Sequence, residues 1–147
     1  MDKIIWRQKE ISLKPRERGF HIVTDEIVHQ LPELNKIQIG LMHMLIKHTS
    51  ASITLNENFD PDVRSDMEKY FSQAVKENEP WYNHNSEGTD DMPAHIKSTL
   101  IGNSLTIPIT SGKLNLGTWQ GIYLCEHRNH AGSRKIIVTI SGEKLFE

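Results

Sequence analysis

The sequence lacks the features that mark several large classes of protein. It has one cysteine, Cys125, in 147 residues, so no disulfide can form within the chain, which excludes the disulfide-rich secreted class. No apolar run reaches the roughly 20 residues that a transmembrane helix needs, and residues 1–10 show no signal-peptide pattern. We therefore expect a cytoplasmic protein without a membrane partner.

An excess of charge of one sign is also absent. The 17 basic and 19 acidic residues give a formal net charge of −2, so the strong positive field typical of nucleic-acid binding is missing and no nucleic-acid partner is expected. The 9 glycines and 6 prolines are ordinary, which argues against collagen-like and disordered classes. The unusual feature is the eight histidines, which direct attention to acid–base and metal chemistry.

The hydrophobic pattern predicts a single α+β domain over residues 1–147. Strands with mainly antiparallel pairing are predicted at 4–13, 20–23, 36–47, 51–55, 104–109, 121–125 and 135–140. Helices are predicted from Thr24 to before Pro32, over 61–75, and from about Asp91 to Gly102. Because the helices lie between groups of strands, the pattern favours α+β over a doubly wound fold. The nearly continuous apolar run at 36–47 is typical of a strand buried on both faces.

A first polar cluster flanks the predicted strand at 51–55. His48 begins a His-Thr-Ser segment before the strand, and Asn56 and Glu57 follow it, directly before a predicted helix. Loops at strand ends beside helix N–H groups commonly hold anionic ligands. The alternative interpretation is a simple turn followed by residues that cap the helix.

A second cluster combines two histidines with a carboxylate. Asp91 and His95 are four residues apart, which places them on one face of the predicted helix, and His84 lies in a preceding loop that could fold back onto that face. Two imidazoles and a carboxylate suit a transition metal or an acid–base pair. The alternative is that Asp90 or Asp91 caps the helix and His95 is a surface residue.

Two further segments carry candidate binding groups. In Gly-Thr-Trp119-Gln120-Gly, the indole could stack on an aromatic ring and the amide could bind a polar ligand edge; the alternative is a hairpin turn with Trp119 in the core. Arg128, Arg134 and Lys135 lie around a predicted hairpin loop and could form a phosphate site, or a solvated basic turn.

Together these motifs resemble the YjbQ family over nearly the whole chain. The segments that carry the resemblance are 18–21 (Arg-Gly-Phe-His), 24–27 (Thr-Asp-Glu-Ile), 48–52 (His-Thr-Ser-Ala-Ser), 55–58 (Leu-Asn-Glu-Asn), 60–64 (Asp-Pro-Asp-Val-Arg), 90–97 (Asp-Asp-Met-Pro-Ala-His-Ile-Lys), 117–121 (Gly-Thr-Trp-Gln-Gly) and 126–128 (Glu-His-Arg). The resemblance implies a β-sandwich-like pair of sheets and a homotrimer. It also implies a secondary thiamine-phosphate synthase, which joins hydroxymethylpyrimidine diphosphate to thiazole phosphate and releases diphosphate.

The same resemblance implies one pocket that gathers the polar motif residues. Its expected catalytic residues are His48, Glu57, Asp91 and His95; its expected substrate-binding residues are Asn56, Trp119, Gln120 and Arg128; and its expected metal ligands are His48, His84 and His95. The cofactor would be a divalent metal. Diphosphate chemistry usually recruits Mg²⁺, whereas histidine ligands suit Zn²⁺ better, so both metals stay open.

Two other classes of function compete with the synthase. A metal-dependent hydrolase of a phosphate or ester would use the same His/Asp set to activate water. A non-enzymatic trimeric module would bind a metabolite or metal without turnover.

Overall fold

The structure, a computed structural model, describes residues 4–145. In these residues it contains eight strands and three α-helices: β1 (Ile4–Leu13), β2 (Gly19–Ile22), α1 (Thr24–His29), β3 (Ile37–Ile46), β4 (Ala51–Glu57), α2 (Pro61–Ala74), α3 (Asp91–Ile101), β5 (Ser104–Thr110), β6 (Lys113–Leu114), β7 (Gln120–Glu126) and β8 (Arg134–Lys144). A 3₁₀ turn, Pro32–Lys36, leads into β3. None of the described helices combines the length and apolarity that crossing a membrane requires.

The strands form two antiparallel sheets that enclose the main core. Five strands pair in the order β1-β8-β3-β5-β6, and three pair in the order β2-β7-β4. Apolar side chains from both sheets meet in one large buried cluster, which includes Met42 and Met44 of β3 and Ile53 of β4. The predicted α+β sandwich with three helices is therefore confirmed.

Strand β3 departs from the prediction that it is buried on both faces. Its burial alternates, with Met42, Met44 and Ile46 in the core, while Leu41 is 52% exposed and Ile39 also faces outward. Successive side chains of a strand point to opposite faces, so only one face of β3 meets the sandwich core. The apolar residues of the other face remain on the surface of the single chain.

Helices α2 and α3 pack on the outer face of the three-stranded sheet. There Phe20, Tyr123 and Cys125 form a second, smaller core with partly buried Met67 and Phe71 of α2. The predicted start of α2 is confirmed: the Asp60 carboxylate accepts a hydrogen bond from the Asp62 N–H at 2.9 Å, and the first helical residue is proline. Cys125 is a buried strand residue, as predicted.

A pair of glycines sets how closely β3 and β8 approach. Gly40 and Gly142 face each other, next to a bulge between Ile37 and Ile39. A Cβ at Gly40 would lie 2.3 Å from the backbone oxygen of Ser141, and a Cβ at Gly142 would lie 2.4 Å from that of Ile39. Real Cβ atoms do not come so close to backbone, so both positions require glycine.

Candidate metal centre

The first turn of α3 supplies two of the three side chains of the candidate centre. Asp91 is the first residue of the helix and His95 follows one turn later on the same face. The carboxylate of Asp90, at the N-cap position, makes no capping hydrogen bond. The interpretation of Asp90 as a simple helix cap is therefore wrong, and its carboxylate is available for other contacts.

His84 completes the group from the preceding loop. One oxygen of Asp91, Oδ2, lies 2.6 Å from Nε2 of His84 and 3.2 Å from Nε2 of His95. One ligand atom of each residue lies within 4.8 Å of the other two, and among residues 4–145 this is the only such group of histidine, cysteine or acidic residues. The Asp91 side chain is 3% exposed, whereas that of His84 is 44% exposed. The group therefore has a buried base and an open side.

The hydrogen bonds of His95 show why a cation fits between these residues. Its Nδ1 lies 2.9 Å from the backbone carbonyl oxygen of Thr49, which only accepts, so Nδ1 carries a proton. In the neutral ring Nε2 then bears a lone pair, and that lone pair faces the Asp91 carboxylate. Two acceptors face each other unless a proton or a metal ion lies between them. A backbone carbonyl that receives the other ring N–H is also the usual arrangement around histidine ligands of metals.

Arg128 fixes the orientation of both carboxylates. Its Nη1 donates to Asp91 Oδ1 at 2.6 Å, its Nε donates to Asp90 Oδ2 at 3.0 Å, and its Nη2 donates to the carbonyl oxygen of Glu87 at 2.9 Å. Burial alone would raise the pKa of Asp91, but the hydrogen bond with His84 and the charge of Arg128 outweigh it and lower this pKa. Asp91 is therefore held as a carboxylate, the form that a metal ion requires.

Behind this layer lies a buried ion pair at the junction of β7 and β8. Arg134 donates to both carboxylate oxygens of Glu126, from Nε at 2.7 Å and from Nη2 at 2.6 Å, and Nη2 also donates to the backbone oxygen of Ser50. The guanidinium groups of Arg128 and Arg134, which the sequence places at a predicted phosphate site, are both paired with carboxylates in this chain. Arg128 holds the site in shape and offers no free fork to a substrate.

Comparison with known proteins identifies the family of the chain. The family described as UPF0047 protein YjbQ-like matches residues 9–143. The chain belongs to the YjbQ family. It is 55% identical to UPF0047 protein YjbQ of Escherichia coli O157:H7 over 139 residues, which cover 95% of this chain and 100% of that protein. It is 38% identical to UPF0047 protein YugU of Bacillus subtilis (strain 168), over 80% of this chain and 87% of the relative.

Solved structures of YjbQ-like proteins share the fold. A YbjQ-like protein of unknown function from Sulfolobus solfataricus P2 superposes with a TM-score of 0.81 at 25% identity, covering 95% of this chain and 99% of that one. An uncharacterized conserved protein of the yjbq/upf0047 family from Clostridium acetobutylicum gives a TM-score of 0.77 at 34% identity, covering 93% and 99%. These likenesses establish the family and the architecture.

The structure separates His48 from the other two predicted metal ligands of this YjbQ family member. Nε2 of His48 accepts a hydrogen bond from the backbone N–H of Lys135 at 2.9 Å, and the ring lines a different cavity with Thr49 and Ser98. Burial lowers the pKa of His48, and the charge of Arg134 adds to this effect. In the described chain the carboxylate of Asp91 takes the third place in the ligand group, instead of His48.

The structure also places four predicted site residues at the opposite end of the three-stranded sheet. Strand β4 begins beside the centre and ends at Asn56 and Glu57, and seven residues in a strand span about 20 Å. Glu57 pairs with Gln120 there. The Glu57 carboxylate accepts from the backbone N–H of Phe59 at 2.6 Å, and Trp119 is 61% exposed against the ring of Phe59. Trp119 is therefore not a core residue, and within one chain these side chains lie far from His95.

The sequence interpretation missed the group that orients His95. The backbone carbonyl of Thr49 makes this contact, and no side-chain type signals a role for a carbonyl oxygen. It also missed the hydrogen bond of 2.9 Å between Ser52 Oγ and Nε2 of His127, in which both residues are buried. The alternation of Ser52 with apolar residues of β4 was the available signal, because a polar residue on a covered face needs a partner.

Proposed function

We propose that this chain binds a divalent metal through His84, Asp91 and His95 and uses the site as a thiamine-phosphate synthase. In this reaction the thiazole nitrogen attacks the methylene carbon of hydroxymethylpyrimidine diphosphate, and diphosphate leaves. The convergence of ligand atoms of His84, Asp91 and His95 within 4.8 Å of one another is the observation that carries the proposal. The resemblance to the YjbQ family motifs is the reason for naming this particular reaction.

The donor set favours Zn²⁺ over Mg²⁺. Two imidazole nitrogens and one carboxylate oxygen are ligands that zinc accepts readily, whereas magnesium prefers oxygen alone. A bound divalent ion would supply positive charge for the leaving diphosphate.

The protein residues have a separate task in this reaction. Arg128 keeps Asp91 ionised and aimed at the two imidazoles, and Thr49 keeps Nε2 of His95 facing the carboxylate. Each of these contacts spans more than 35 residues of sequence, so the geometry depends on the complete fold. Because Asp91 and His95 are already held in position, they need not reorient when substrate binds.

A metal-dependent hydrolase is the second candidate. The open side of the centre, where His84 is 44% exposed, admits water to the same three ligands. Three protein ligands with a free position are the usual composition of hydrolytic zinc sites.

One assay separates the two reactions. Purified chain loaded with zinc or with magnesium receives both ring substrates, or the pyrimidine diphosphate alone, with and without a chelator. The synthase predicts thiamine phosphate only with both substrates and loss of the product with chelator. Hydrolysis of the diphosphate without the thiazole would favour the second candidate. Stoichiometric binding without turnover in any arm would contradict both and support a non-enzymatic module.

We also propose that the protein is a cytoplasmic homotrimer that buries the outer face of the five-stranded sheet. The strand register aligns Trp6 and Leu41 in one row with Ser141, and both apolar side chains are more than half exposed in the single chain. Exposed apolar surface of this kind usually marks an interface. Light scattering of Leu41→Arg is expected to show monomers, with Val28→Arg on α1 as the control that stays trimeric. A monomeric parent chain would contradict the proposal.

A further inference from the structure

A cleft between the end of α2, the following loop and α3 extends away from the candidate metal centre. It consists of two neighbouring cavities. The first, of about 380 Å³, is lined by His84 together with Tyr82 and Met92; the second, of about 390 Å³, is lined by Trp81, Tyr82 and Leu100. Tyr82 and Glu79 line both cavities, so the two lie side by side. Each volume lies in the range of small-molecule sites, which is about 300–1,000 Å³.

The cavity farther from the centre presents a fixed aromatic surface. Trp81 is 65% exposed, yet its Nε1 donates to Glu79 Oε2 at 3.0 Å and its ring packs edge-to-face on Tyr82 with 4.6 Å between centroids. The Tyr82 hydroxyl in turn donates to the backbone oxygen of Lys76 at 2.7 Å. An indole that is held in place while most of its surface faces water is prepared to stack on a ligand, because little side-chain freedom remains to be lost.

The two ends of the cleft differ in chemistry. The end at His84 offers one of the three candidate metal ligands and suits a phosphorylated group, whereas the end at Trp81 is aromatic and aliphatic and includes Ile96. Glu79 lies between them, and its carboxylate is an acceptor for an amino group on a ring. A ligand that satisfies every part is a planar aminated ring joined to an anionic group.

We propose that this cleft binds the pyrimidine ring of the diphosphate substrate, with Trp81 stacked on the ring, Glu79 facing its amino group and the diphosphate directed to the centre at His84. This inference rests on the proposed function for the identity of the substrate. It assigns specificity for the ring to the loop between α2 and α3, which also carries His84.

The test compares a ring-bearing ligand with the same anion without a ring. Hydroxymethylpyrimidine diphosphate and inorganic diphosphate are titrated separately by calorimetry into the full-length chain, with zinc present and no thiazole phosphate. We expect the ring compound to bind at least about tenfold more tightly than inorganic diphosphate, the lower range of what aromatic stacking contributes. Trp81→Ala should remove this preference while the affinity for inorganic diphosphate stays unchanged, and Trp81→Phe should keep most of it.

Tyr70→Ala is the matched control, because this aromatic ring is almost as exposed, at 64%, but lines neither cavity. It should leave the ring preference intact. Circular dichroism and light scattering of each variant check folding and assembly. If Trp81→Ala does not fold, the Trp81→Phe titration and the change in the indole N–H resonance of Trp81 on adding the ring compound decide the question.

Equal affinity of the parent chain for the two ligands would overturn the inference, as would binding of neither. An unchanged ring preference in Trp81→Ala would overturn it too. The same holds if Trp81→Ala keeps the ring preference but loses its oligomeric state, since the cleft would then be a contact between subunits. Failure of the synthase reaction is a different result: a chain that prefers the ring compound but forms no thiamine phosphate keeps the cleft assignment and loses the proposed function.

Discussion

The two ends of the three-stranded sheet carry similar motif residues but use them in different ways. Where β4 begins and β7 ends, Arg128 reaches Asp91 across 37 residues of sequence and His95 reaches Thr49 across 46. At the other end Glu57 and Gln120 bond to backbone groups no more than three residues away. One end gathers charged side chains from distant segments around one point, whereas the long-range side-chain bonds of the other end, such as that of Asn58 Nδ2 to the Thr118 carbonyl oxygen at 3.3 Å, go to the backbone.

This difference distinguishes the candidate centre from the turn at the opposite end. Local side-chain bonds to backbone satisfy the polar groups of a loop and need no ligand. Long-range convergence of charged groups costs more free energy, because each must be desolvated, and it leaves ligand atoms facing one point. We therefore expect substitutions at the His95 end to lower stability and activity more than substitutions at the Glu57 end.

The largest effect on stability is expected from breaking the buried ion pair beside the centre. Glu126→Ala leaves the Arg134 guanidinium buried without its carboxylate, which should lower the free energy of unfolding by about 3–5 kcal/mol. Denaturation in urea measures this change. Gln120→Ala, which removes one local hydrogen bond at the other end, should cost about 1 kcal/mol. Similar losses of unfolding free energy in Glu126→Ala and Gln120→Ala would contradict the expected difference in stability between the two ends.

The largest effect on activity is expected from removing one ligand of the centre. His95→Ala should abolish thiamine-phosphate formation and lower zinc affinity by at least about tenfold, while stability changes by about 0.5 kcal/mol because the ring is partly exposed. Steady-state assays and zinc titration measure the two effects. Glu57→Gln at the other end should retain the parent rate. An equal loss in Glu57→Gln would show that the two ends act together, as they could across subunits.

A pH-dependent effect is expected from His127 in the buried layer. Burial, followed by the charges of Lys97 and Arg134, lowers its pKa from 6.5 to about 3. Below pH 6.5 the unfolded chain binds a proton on this residue that the folded chain does not, so stability falls as the pH falls toward 3, by up to about 1.4 kcal/mol per pH unit. His127→Gln should show a shallower loss in urea denaturation at pH 4–6.5. An identical slope in parent and variant would refute the assignment.

The smallest effect is expected from the exposed indole at the end opposite the centre. Trp119→Ala should change the free energy of unfolding by no more than about 0.5 kcal/mol, because the side chain is mostly in water and the ring against which it packs, that of Phe59, is itself exposed. The same urea series measures it. A loss of several kcal/mol would show that this end is buried in the assembled protein.

Much of the fold is predictable because local signals agree with one another. Asp60 followed by Pro61 marks the start of α2. Gly102 ends α3 with a φ of 109°, a backbone angle that glycine adopts readily because it has no side chain. Asp91 and His95 are predictable as a pair for the same reason, since one helical turn fixes their separation. The exposed face of β3 was not predictable, because its apolar residues carry no sign of which face the partner sheet covers.

The remaining errors in the site come from geometry that acts over long distances. The orientation of His48 depends on the backbone N–H of Lys135, 87 residues later. Asn56 and Glu57 follow His48 closely in sequence, but an extended strand holds its two ends apart by nearly its full length. The resemblance to the YjbQ family implied a pocket shared by these residues, and a single chain does not bring them together.

The facing glycines of β3 and β8 have a consequence for the geometry of the candidate centre during folding. A pairing displaced by two residues would preserve the inside–outside pattern of both strands, so hydrophobicity alone rejects it weakly. Such a displacement would bring side chains into the space where Gly40 and Gly142 now touch, and steric exclusion removes it from the accessible states. Because β3 leads directly toward Thr49, a shift of that size would carry its carbonyl about 7 Å away from His95. The absence of side chains at Gly40 and Gly142 thus helps to keep the Thr49 carbonyl in register with His95.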